Sequence, residues 1–411
     1  MKIVIINHSD SRGGASVVSM RLLEALVAAG EDVSMLVVHK AGNNDRVHVA
    51  ASGLRKKIPF LAEHARIFAS NGFTRQDLFA ASIATDGLPL SQHPLVRQAD
   101  VVMFNWVNQG MLSLREISRI CAMGKRVIWT MHDMWNATGI CHHAGDCQRF
   151  TLTPGCGDCP LLHGRRGGHD LSRRTWKRKK ALYDSSDIRF VAVSSWLATK
   201  CAESSLMSYC SVDVIPNAFP VDEFYIEPRM SRAELGLPED KKLIVMGAAR
   251  LDDPVKGLPL AIGALNGIVD GGCKDAHAVF FGAIRDSAAL DALKMPYTAL
   301  GMVADAAILR ELYAQSTVVL SSSLYETLPG TLIEGQAAGC WAVSFGEGGQ
   351  ADIIEHGKTG YIARYRDAAD LAAGIRLGLN GDFSPERQRQ SVVDHFSAPA
   401  VAARYMELCR L

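Results

Sequence analysis

Short apolar runs rich in β-branched residues recur along the whole chain, separated by longer stretches with helical periodicity. Runs of this length and composition are typical of strands buried in a parallel sheet. The first half of the chain predicts six strands, at 3–6, 33–38, 101–104, 127–130, 190–193 and 212–215. The second half predicts four more, at 243–246, 279–281, 318–320 and 341–345.

The amphipathic stretches between these runs predict the helices. Ser16 is the expected N-cap of the first helix, which Gly30 ends. Further helices are expected at 258–269, 305–315, 332–338, 367–379 and 398–410. Strands and helices alternate twice over, which predicts an α/β fold with two Rossmann-like domains. Three prolines within 216–228 mark the linker, so the predicted domains are 1–217 and 218–390, followed by a C-terminal segment, 391–411.

Composition narrows the class of protein. A chain of 411 residues with 48% hydrophobic content has material for two globular domains, and disorder is not expected. The net charge of +1 argues against a nucleic-acid binder. No apolar run reaches the roughly 18 residues of a membrane span, and the first residues lack the pattern of a signal peptide. A cytoplasmic protein is therefore expected.

Two carboxylates eight residues apart are the strongest sign of function. Glu326 and Glu334 flank a Pro-Gly turn between an apolar strand and a helix. Backbone N–H groups at a helix start can bind diphosphate oxygens, while carboxylates accept hydrogen bonds from sugar hydroxyls. Two solvated glutamates near a helix N-terminus are the alternative interpretation.

Two cations in the same half of the chain favour the ligand-binding interpretation. Arg250 and Lys256 follow the first strand of the second predicted domain, in a loop that leads into a helix. Either alone would be most simply a surface charge. Together, a guanidinium and an ammonium six residues apart can neutralise a diphosphate leaving group. The four residues thus predict a nucleotide-sugar site.

Gly13 and Gly14 lie between the first strand and the first helix. A glycine pair alone usually marks a tight turn, although ligands of open α/β sheets also bind at this position. The three-glycine spacing of a dinucleotide-binding dehydrogenase is not present there.

These motifs resemble glycosyltransferase family 4, a family of retaining enzymes with the GT-B fold. The Glu-x7-Glu element and the Arg-x5-Lys-Gly loop are both present without gaps, and the early Gly-Gly loop matches the acceptor domain. The resemblance implies two Rossmann-like domains that face each other across a cleft, with the C-terminal helix packing back on the N-terminal domain. One departure is Ala351-Asp352, where family members often carry Pro-Glu.

The resemblance also implies a role for each matched residue. Arg250 and Lys256 would hold the donor diphosphate, Glu334 the ribose and Glu326 the transferred sugar. The expected donor-binding set is completed by Gly13, Gly14, Gly301, Val303, Leu328, Pro329, Gly330 and Thr331. Gly301 and Val303 belong to the turn that would lie beside the nucleobase.

His132 ends a predicted strand and is followed by Asp133. The family's equivalent histidine contacts the donor sugar, so His132 is expected to be catalytic together with Glu326, Arg250 and Lys256. An arbitrary histidine would more often be satisfied by neighbouring backbone. No cofactor is expected in the chemistry, because cationic side chains and helix ends replace the metal ion of other transferases.

Four of the 10 cysteines fall in one segment, about 141–160, that has few core-forming residues. Some polysaccharide-building members of the family, of the colanic acid, capsule or exopolysaccharide type, resemble this chain in carrying a Cys-rich insert. Cys141, Cys147, Cys156 and Cys159 predict a structural zinc site, with His142 or His143 as an alternative ligand and four free thiols as the competing interpretation.

Residues 165–180 are strongly basic, with Asp170 the only acid. They predict contact with an anionic membrane surface, which would place the protein at the inner membrane face. A solvated helix face is the alternative, and the lack of interleaved aromatic residues disfavours RNA.

The expected function is therefore a retaining hexosyltransferase. It would move a sugar from a nucleoside-diphosphate sugar to a glycan or glycolipid acceptor, lipid-linked, in the synthesis of cell-surface polysaccharide. The alternatives of the same fold are a non-catalytic nucleotide-sugar-binding protein and a nucleotide-sugar epimerase.

Overall fold

The computed structural model describes residues 1–164, 170–286 and 288–410. The chain divides into two compact units. The first unit comprises Met1–Asn217 together with Val401–Leu411, and the second comprises Ala218–Ala400.

The first unit is built on a sheet of seven parallel strands in the order β3-β2-β1-β4-β5-β6-β7. The strands are β1 Lys2–Ile6, β2 Asp32–Val37, β3 Val47–Val49, β4 Val101–Phe104, β5 Arg126–Met131, β6 Ile188–Ala192 and β7 Val212–Val214. The helices are α1 Gly14–Ala28, α2 Ile58–Ser70, α3 Pro94–Gln98, α4 Leu114–Cys121, α5 Leu171–Ser185 and α6 Ser195–Glu203.

The second unit is built on a sheet of six parallel strands in the order β10-β9-β8-β11-β12-β13. The strands are β8 Lys242–Arg250, β9 Ala276–Ala283, β10 Tyr297–Ala299, β11 Val318–Ser321, β12 Trp341–Phe345 and β13 Gly360–Ala363. The helices are α7 Leu258–Asp270, α8 Ala288–Asp291, α9 Ala306–Ala314, α10 Gly330–Ala337, α11 Ala368–Asn380 and α12 Pro385–Phe396. These two sheets confirm the predicted α/β fold with two Rossmann-like domains.

Both faces of the second sheet are buried. Ile244 packs into one apolar cluster, whereas its neighbours Leu243 and Val245 pack into another. Successive side chains of a strand point to opposite faces, so each cluster lies on its own side of the sheet. This two-sided burial explains why the strands are almost wholly apolar in sequence.

The last helix, α13 Ala398–Arg410, contributes its residues from Val401 onward to the first unit. There the hydroxyl groups of Tyr405 and Thr130 lie 2.9 Å apart, and both side chains are buried. The helix therefore packs against β5.

Two local expectations differ from the structure. Helix α1 begins at Gly14 with Gly13 as its N-cap, so the prediction of Ser16 as the cap was wrong. The Ser16 hydroxyl instead donates to the carbonyl of Arg12, at 2.7 Å, inside the first turn. Helix α10 begins at Gly330, within the expected turn. Phe219 and Phe224 of the predicted linker are buried in the second unit.

Candidate active site

Strand order determines where a ligand is expected in each unit. In the first sheet, successive strands are added on one side of β1 up to β3 and then on its other side from β4 onward. The second sheet has the same reversal of strand order between β8 and β11. In open α/β sheets, ligands bind outside the carboxyl ends of the strands at such a reversal. The loops after β8 and β11 are therefore the place to look in the second unit.

Those two loops are bonded directly to each other. The Leu324 N–H donates to the carbonyl of Val255 at 2.7 Å, and the Ser322 hydroxyl donates to the carbonyl of Lys256 at 2.8 Å. Gly257 allows this approach, because its φ of +63° suits glycine and a side chain there would meet the Ser322 carbonyl at 2.2 Å. The loops thus form one rigid edge.

Lys256 and Glu326 form an ion pair at this edge. The Ser323 hydroxyl also donates to Glu326, at 3.2 Å from Oε1. About a quarter of each paired side chain is exposed, so the pair remains accessible to a ligand. A cation and a carboxylate side by side can bind a diphosphate and a sugar hydroxyl respectively.

Arg250 ends β8 and is held by two neighbouring carboxylates. Its Nη2 lies 3.0 Å from Asp253 Oδ2, and its Nε lies 3.5 Å from Asp252 Oδ1. Asp252 also accepts from the backbone N–H of Arg285, at 3.0 Å. Arg250 therefore lies beside the loop of Lys256. Asp252 and Asp253, to which the sequence analysis assigned no role, hold its side chain.

Glu334 lies in the second turn of α10 and is half-buried. The Tyr313 hydroxyl is 3.5 Å from its Oε2. Leu328, Pro329, Gly330 and Thr331 form the entry to the same helix, where backbone N–H groups point away from the helix body. This start of α10 follows Glu326 directly in the chain.

Gly348 is a residue of the site that the sequence interpretation did not single out. It follows β12, has a φ of +127°, and would carry a side chain only 2.2 Å from the Glu326 carbonyl oxygen. The next residue, Gly349, donates its N–H to that carbonyl at 2.9 Å. The glycine-rich loop after β12 therefore fixes the backbone of Glu326. The only sequence signal was the Gly-Glu-Gly-Gly run after a predicted strand.

Gly301 and Val303 follow β10, the edge strand of the second sheet. The Gly282 N–H donates to the Gly301 carbonyl at 2.6 Å, which ties the turn to the carboxyl end of β9. Gly301 is exposed and Val303 is half-buried. Both therefore lie at the same edge of the second sheet as the residues already described.

In the first unit, Gly13 and Gly14 are exposed at the start of α1, and no other group lies within 4 Å of where a side chain would extend. They follow β1, which adjoins the reversal of strand order. The glycine pair is thus open to a ligand of this unit.

His132 follows β5 in the first unit. Its Nε2 is buried and has no hydrogen-bond partner among the described residues. Burial lowers the pKa of His132 to about 4, although the neighbouring Asp133 acts in the opposite direction. The imidazole is therefore neutral near pH 7 and can act through hydrogen bonds rather than as a cation.

Asp133 organises an aromatic cluster beside His132. Burial alone would raise its pKa, but the neighbouring His142 and the Trp135 N–H hold the pKa well below its usual range. Its Oδ2 lies 2.8 Å from His142 Nδ1 and accepts from the Trp106 ring N–H at 3.0 Å. His8 stands edge-on to Trp106, with ring centroids 5.6 Å apart.

Sequence reasoning missed Trp106, His142 and His8 as members of this cluster. Two of the three signals were available, because His8 and Trp106 each stand two residues beyond a strand at the reversal point, β1 and β4. His142 lies nine residues beyond Asp133, at the start of the cysteine-rich segment, and no periodicity in the sequence indicated that its ring turns back to Asp133.

The cysteine-rich segment brings its four thiols to one place. Cys141, Cys147, Cys156 and Cys159 line a single small cavity. Burial raises the pKa of Cys141 and of Cys159 to about 12. In the described part of the chain, no group of three or more His, Cys, Asp or Glu side chains is arranged to hold a metal ion. Zinc stays a prediction, without support from this arrangement.

The basic segment at 165–180 serves several different roles. Arg165 and Arg166 lie outside the described residues. Lys179 is fully buried, and its ammonium lies 3.1 Å from the carbonyl of Thr138 and 3.3 Å from the centre of the Trp135 ring. Arg174, Lys177 and Arg178 remain exposed. Lys179 is therefore a structural residue that joins α5 to the loop after β5.

Part of the second unit is similar to a known protein family. Residues 240–380 match the family described as glycosyl transferases group 1. These residues contain Arg250, Lys256, Glu326 and Glu334. The match thus covers the carboxyl edge of the second sheet.

One curated relative and two solved structures extend the comparison. WcaC of Escherichia coli (strain K12), described as a colanic acid biosynthesis glycosyl transferase, is 25% identical over 176 residues, which are 40% of this chain and 40% of the relative. Sucrose-phosphate synthase from Thermosynechococcus elongatus is 18% identical, with a TM-score of 0.65 over 99% of this chain and 98% of that one. HepE from Anabaena, in complex with UDP, is 14% identical, with a TM-score of 0.63 over 100% of both chains.

The similarity to the solved structures concerns the fold, which is GT-B. The group 1 match and the GT-B fold confirm the predicted resemblance to GT-B glycosyltransferases. In the described part of the chain, no helix combines the length and the apolar character needed to cross a bilayer.

Proposed function

We propose that the chain is a retaining glycosyltransferase that moves a hexose-type sugar from a nucleoside-diphosphate sugar to a glycan acceptor. The observation that carries this proposal is the Lys256–Glu326 ion pair at the reversal of strand order in the second sheet. A ligand-binding edge that presents a cation and a carboxylate together suits a donor with a diphosphate and a sugar.

Each polar group of this edge has a part in the transfer. Lys256 and Arg250 stabilise the negative charge that the leaving diphosphate develops. Glu326 accepts hydrogen bonds from hydroxyl groups of the transferred sugar, and Glu334 accepts them from the ribose. His132, in the first unit, acts as a neutral hydrogen-bonding group toward the sugar.

In the proposed reaction, the bond between the sugar's anomeric carbon and the phosphate oxygen breaks, and its electron pair leaves with the diphosphate. The acceptor oxygen bonds to the anomeric carbon on the same face, and its proton passes to the leaving phosphate. This course needs no protein nucleophile. It retains the configuration of the anomeric carbon.

The relatives suggest which substrates to test first. WcaC is described as a colanic acid biosynthesis enzyme, which supports a role in polysaccharide synthesis. A lipid-linked glycan is the acceptor that we propose to test first. HepE was crystallised with UDP, so a UDP-sugar is the first donor to test.

The test is to incubate the protein with a panel of nucleoside-diphosphate sugars, with and without glycan and glycolipid acceptors. Release of nucleoside diphosphate only with acceptor, together with a product of unchanged anomeric configuration, supports the proposal. An inverted product contradicts the retaining mechanism. Epimerised donor indicates an epimerase, and binding without turnover indicates a non-catalytic binding protein.

A further inference from the structure

Helix α2 buries two polar side chains, Glu63 and His64. Glu63 is 1% exposed, and one of its carboxylate oxygens accepts from the backbone N–H of Ile83 at 2.7 Å and of Ala84 at 3.0 Å. His64 is also buried, with its Nδ1 2.8 Å from the carbonyl of Phe60. The Glu63 carboxylate thus attaches the helix to the backbone of residues 83 and 84.

The opposite side of α2 and the turn before it are apolar and exposed. Leu54, Ile58 and Leu61 are 74%, 60% and 61% exposed, and they are followed by exposed Ala65 and Ala69. We call these five residues the α2 outer face. From Ile58 to Ala69 they follow one another at intervals of three or four residues, which places them on one side of the helix. A helix at a protein surface ordinarily shows the reverse arrangement. An apolar surface of this kind marks an interaction site.

The charges beside the α2 outer face are positive. Arg55, Lys56 and Lys57 lie between Leu54 and Ile58, and Arg66 follows one turn beyond Leu61. The only acid between residues 53 and 70 is the buried Glu63. The surface therefore complements a partner that is both apolar and anionic.

A groove next to α2 adds further positive charge. It has a volume of about 750 Å³ and is lined by four arginines, Arg66, Arg115, Arg174 and Arg178. No aspartate or glutamate is among the described residues that line this arginine groove. Guanidinium groups bind phosphate through paired hydrogen bonds.

The arginine groove also has apolar walls, formed by Ile83, Leu114, Leu171 and Leu182. A free phosphate ion would use the arginines alone, whereas a lipid presents phosphate and hydrocarbon together. Arg66 connects the two features, because it belongs to α2 and lines the groove. Its guanidinium forms an ion pair with Asp86, so the positive charge that is open to a ligand there comes from Arg115, Arg174 and Arg178.

We propose that the first unit docks on the surface of an anionic lipid bilayer. The α2 outer face enters the boundary between headgroups and acyl chains, as interfacial amphipathic helices do. Arg115, Arg174 and Arg178 of the groove bind lipid phosphates. This assigns the membrane contact chiefly to α2, and only Arg174 and Arg178 of the basic segment take part in it. The inference does not depend on catalysis.

The experiment measures sedimentation of the full chain with vesicles of phosphatidylcholine, with or without phosphatidylglycerol. Leu61→Glu tests the α2 outer face, and its matched control is Leu377→Glu, at a half-exposed leucine on α11. Arg178→Glu tests the groove, and its control is Lys177→Glu, an exposed cation next to it on α5 that does not line the groove.

The wild type and both controls are expected to bind vesicles that contain phosphatidylglycerol, and less so as salt is added. Leu61→Glu should lower the partition coefficient about tenfold or more, because the leucine that the bilayer would bury is lost. Arg178→Glu should lower it about fivefold or more. A tryptophan placed by Ile58→Trp should shift its fluorescence to the blue only with these vesicles.

Three results would overturn the proposal. The first is that the wild type binds neutral and anionic vesicles equally, or binds neither. The second is that each control variant loses as much binding as its test variant. The third is that the wild type is a dimer that Leu61→Glu dissociates, which would identify the α2 outer face as a contact between two copies of the chain.

Discussion

Among single residues, Glu326 and Glu334 have different surroundings. Glu326 pairs with Lys256 and is held by the Ser323 hydroxyl, whereas Glu334 lies in α10 beside the Tyr313 hydroxyl. Under the proposed function, Glu326 is paired with the lysine that would stabilise the leaving diphosphate, so we expect it to influence the reaction step. Glu334 lies on the neighbouring helix, and we expect it to influence donor binding.

This difference predicts separable effects of two substitutions. Glu326→Gln should lower kcat by roughly a hundredfold, since it weakens the arrangement around the developing charge. Glu334→Gln should instead raise KM for the donor about tenfold, because a hydrogen bond to a charged acceptor is lost. Steady-state kinetics measure both, with Glu355→Gln, at an exposed ion pair, as the control. Equal changes of kcat and KM in the two variants would contradict this division of roles.

His132 predicts a pH dependence of stability. Its pKa falls from 6.5 to about 4 on folding because the ring is buried. The unfolded chain therefore binds the proton more tightly, and the contribution of neutral His132 is present above pH 6.5 and lost as the pH falls toward 4.

Urea unfolding at pH 7 and pH 4.5 measures this effect. The wild type should lose up to about 3 kcal/mol more of its free energy of unfolding than His132→Gln does over that interval. His48→Gln, which replaces an exposed histidine, should behave like the wild type. Parallel losses in the wild type and His132→Gln would show that His132 titrates normally.

At the scale of elements, the loop after β12 makes a prediction through Gly348. Any side chain there adopts a strained φ of +127° and also meets the Glu326 carbonyl. Gly381 also has a positive φ, +77°, but open space surrounds it. A substitution at Gly381 therefore measures the cost of placing a side chain at a positive φ without a steric contact.

Gly381→Ala should cost about 1 kcal/mol of unfolding free energy. Gly348→Ala should cost about 1–3 kcal/mol more, because the backbone of the Glu326 loop must move, and it should weaken donor binding as well. Chemical denaturation and donor titration test both statements. A Gly348→Ala variant as stable as Gly381→Ala, with normal donor affinity, would show that the loop does not position Glu326.

The cysteine-rich segment predicts a metal content. The sequence places four thiols, the ligand type that zinc prefers, in this segment, although in the described part of the chain they are not arranged as a metal site. Metal analysis of protein purified without chelator should find about one zinc ion per chain. The variant Cys156→Ser/Cys159→Ser should lose it, whereas Cys273→Ser, outside the segment, should keep it. Zinc-free wild-type protein would leave four free thiols as the correct interpretation.

Elements also show where sequence reasoning stopped. The apolar runs located strands such as β11 and β12 within one or two residues, because burial on both faces leaves a continuous apolar signal. Helix α2 gave no such signal. Its inward Glu63 is explained only by the backbone of Ile83 and Ala84, 20 residues away. Lys179 likewise looked like a surface cation, yet it is buried against residues more than 40 positions earlier.

At the scale of the whole molecule, the order of strands accounts for the site. Arg250 and Lys256 follow β8, and Glu326 follows β11, so they meet only because these two strands are neighbours. Sequence spacing predicted the residues. It did not predict that Lys256 and Glu326 contact each other, that Arg250 is held by Asp253, or that Gly348 supports Glu326, because these contacts depend on tertiary pairing.

The central claim is that this edge of the second unit binds a nucleoside-diphosphate sugar. The most direct measurement is the free energy of unfolding of the wild type, Lys256→Ala and Lys358→Ala against a panel of nucleotide sugars. Lys358 is an exposed, ion-paired lysine of the same unit. At 100 times its dissociation constant, the correct donor should add about 2.7 kcal/mol to the wild type and to Lys358→Ala, and little to Lys256→Ala. No stabilisation by any donor, or equal stabilisation of all three proteins, would contradict the claim.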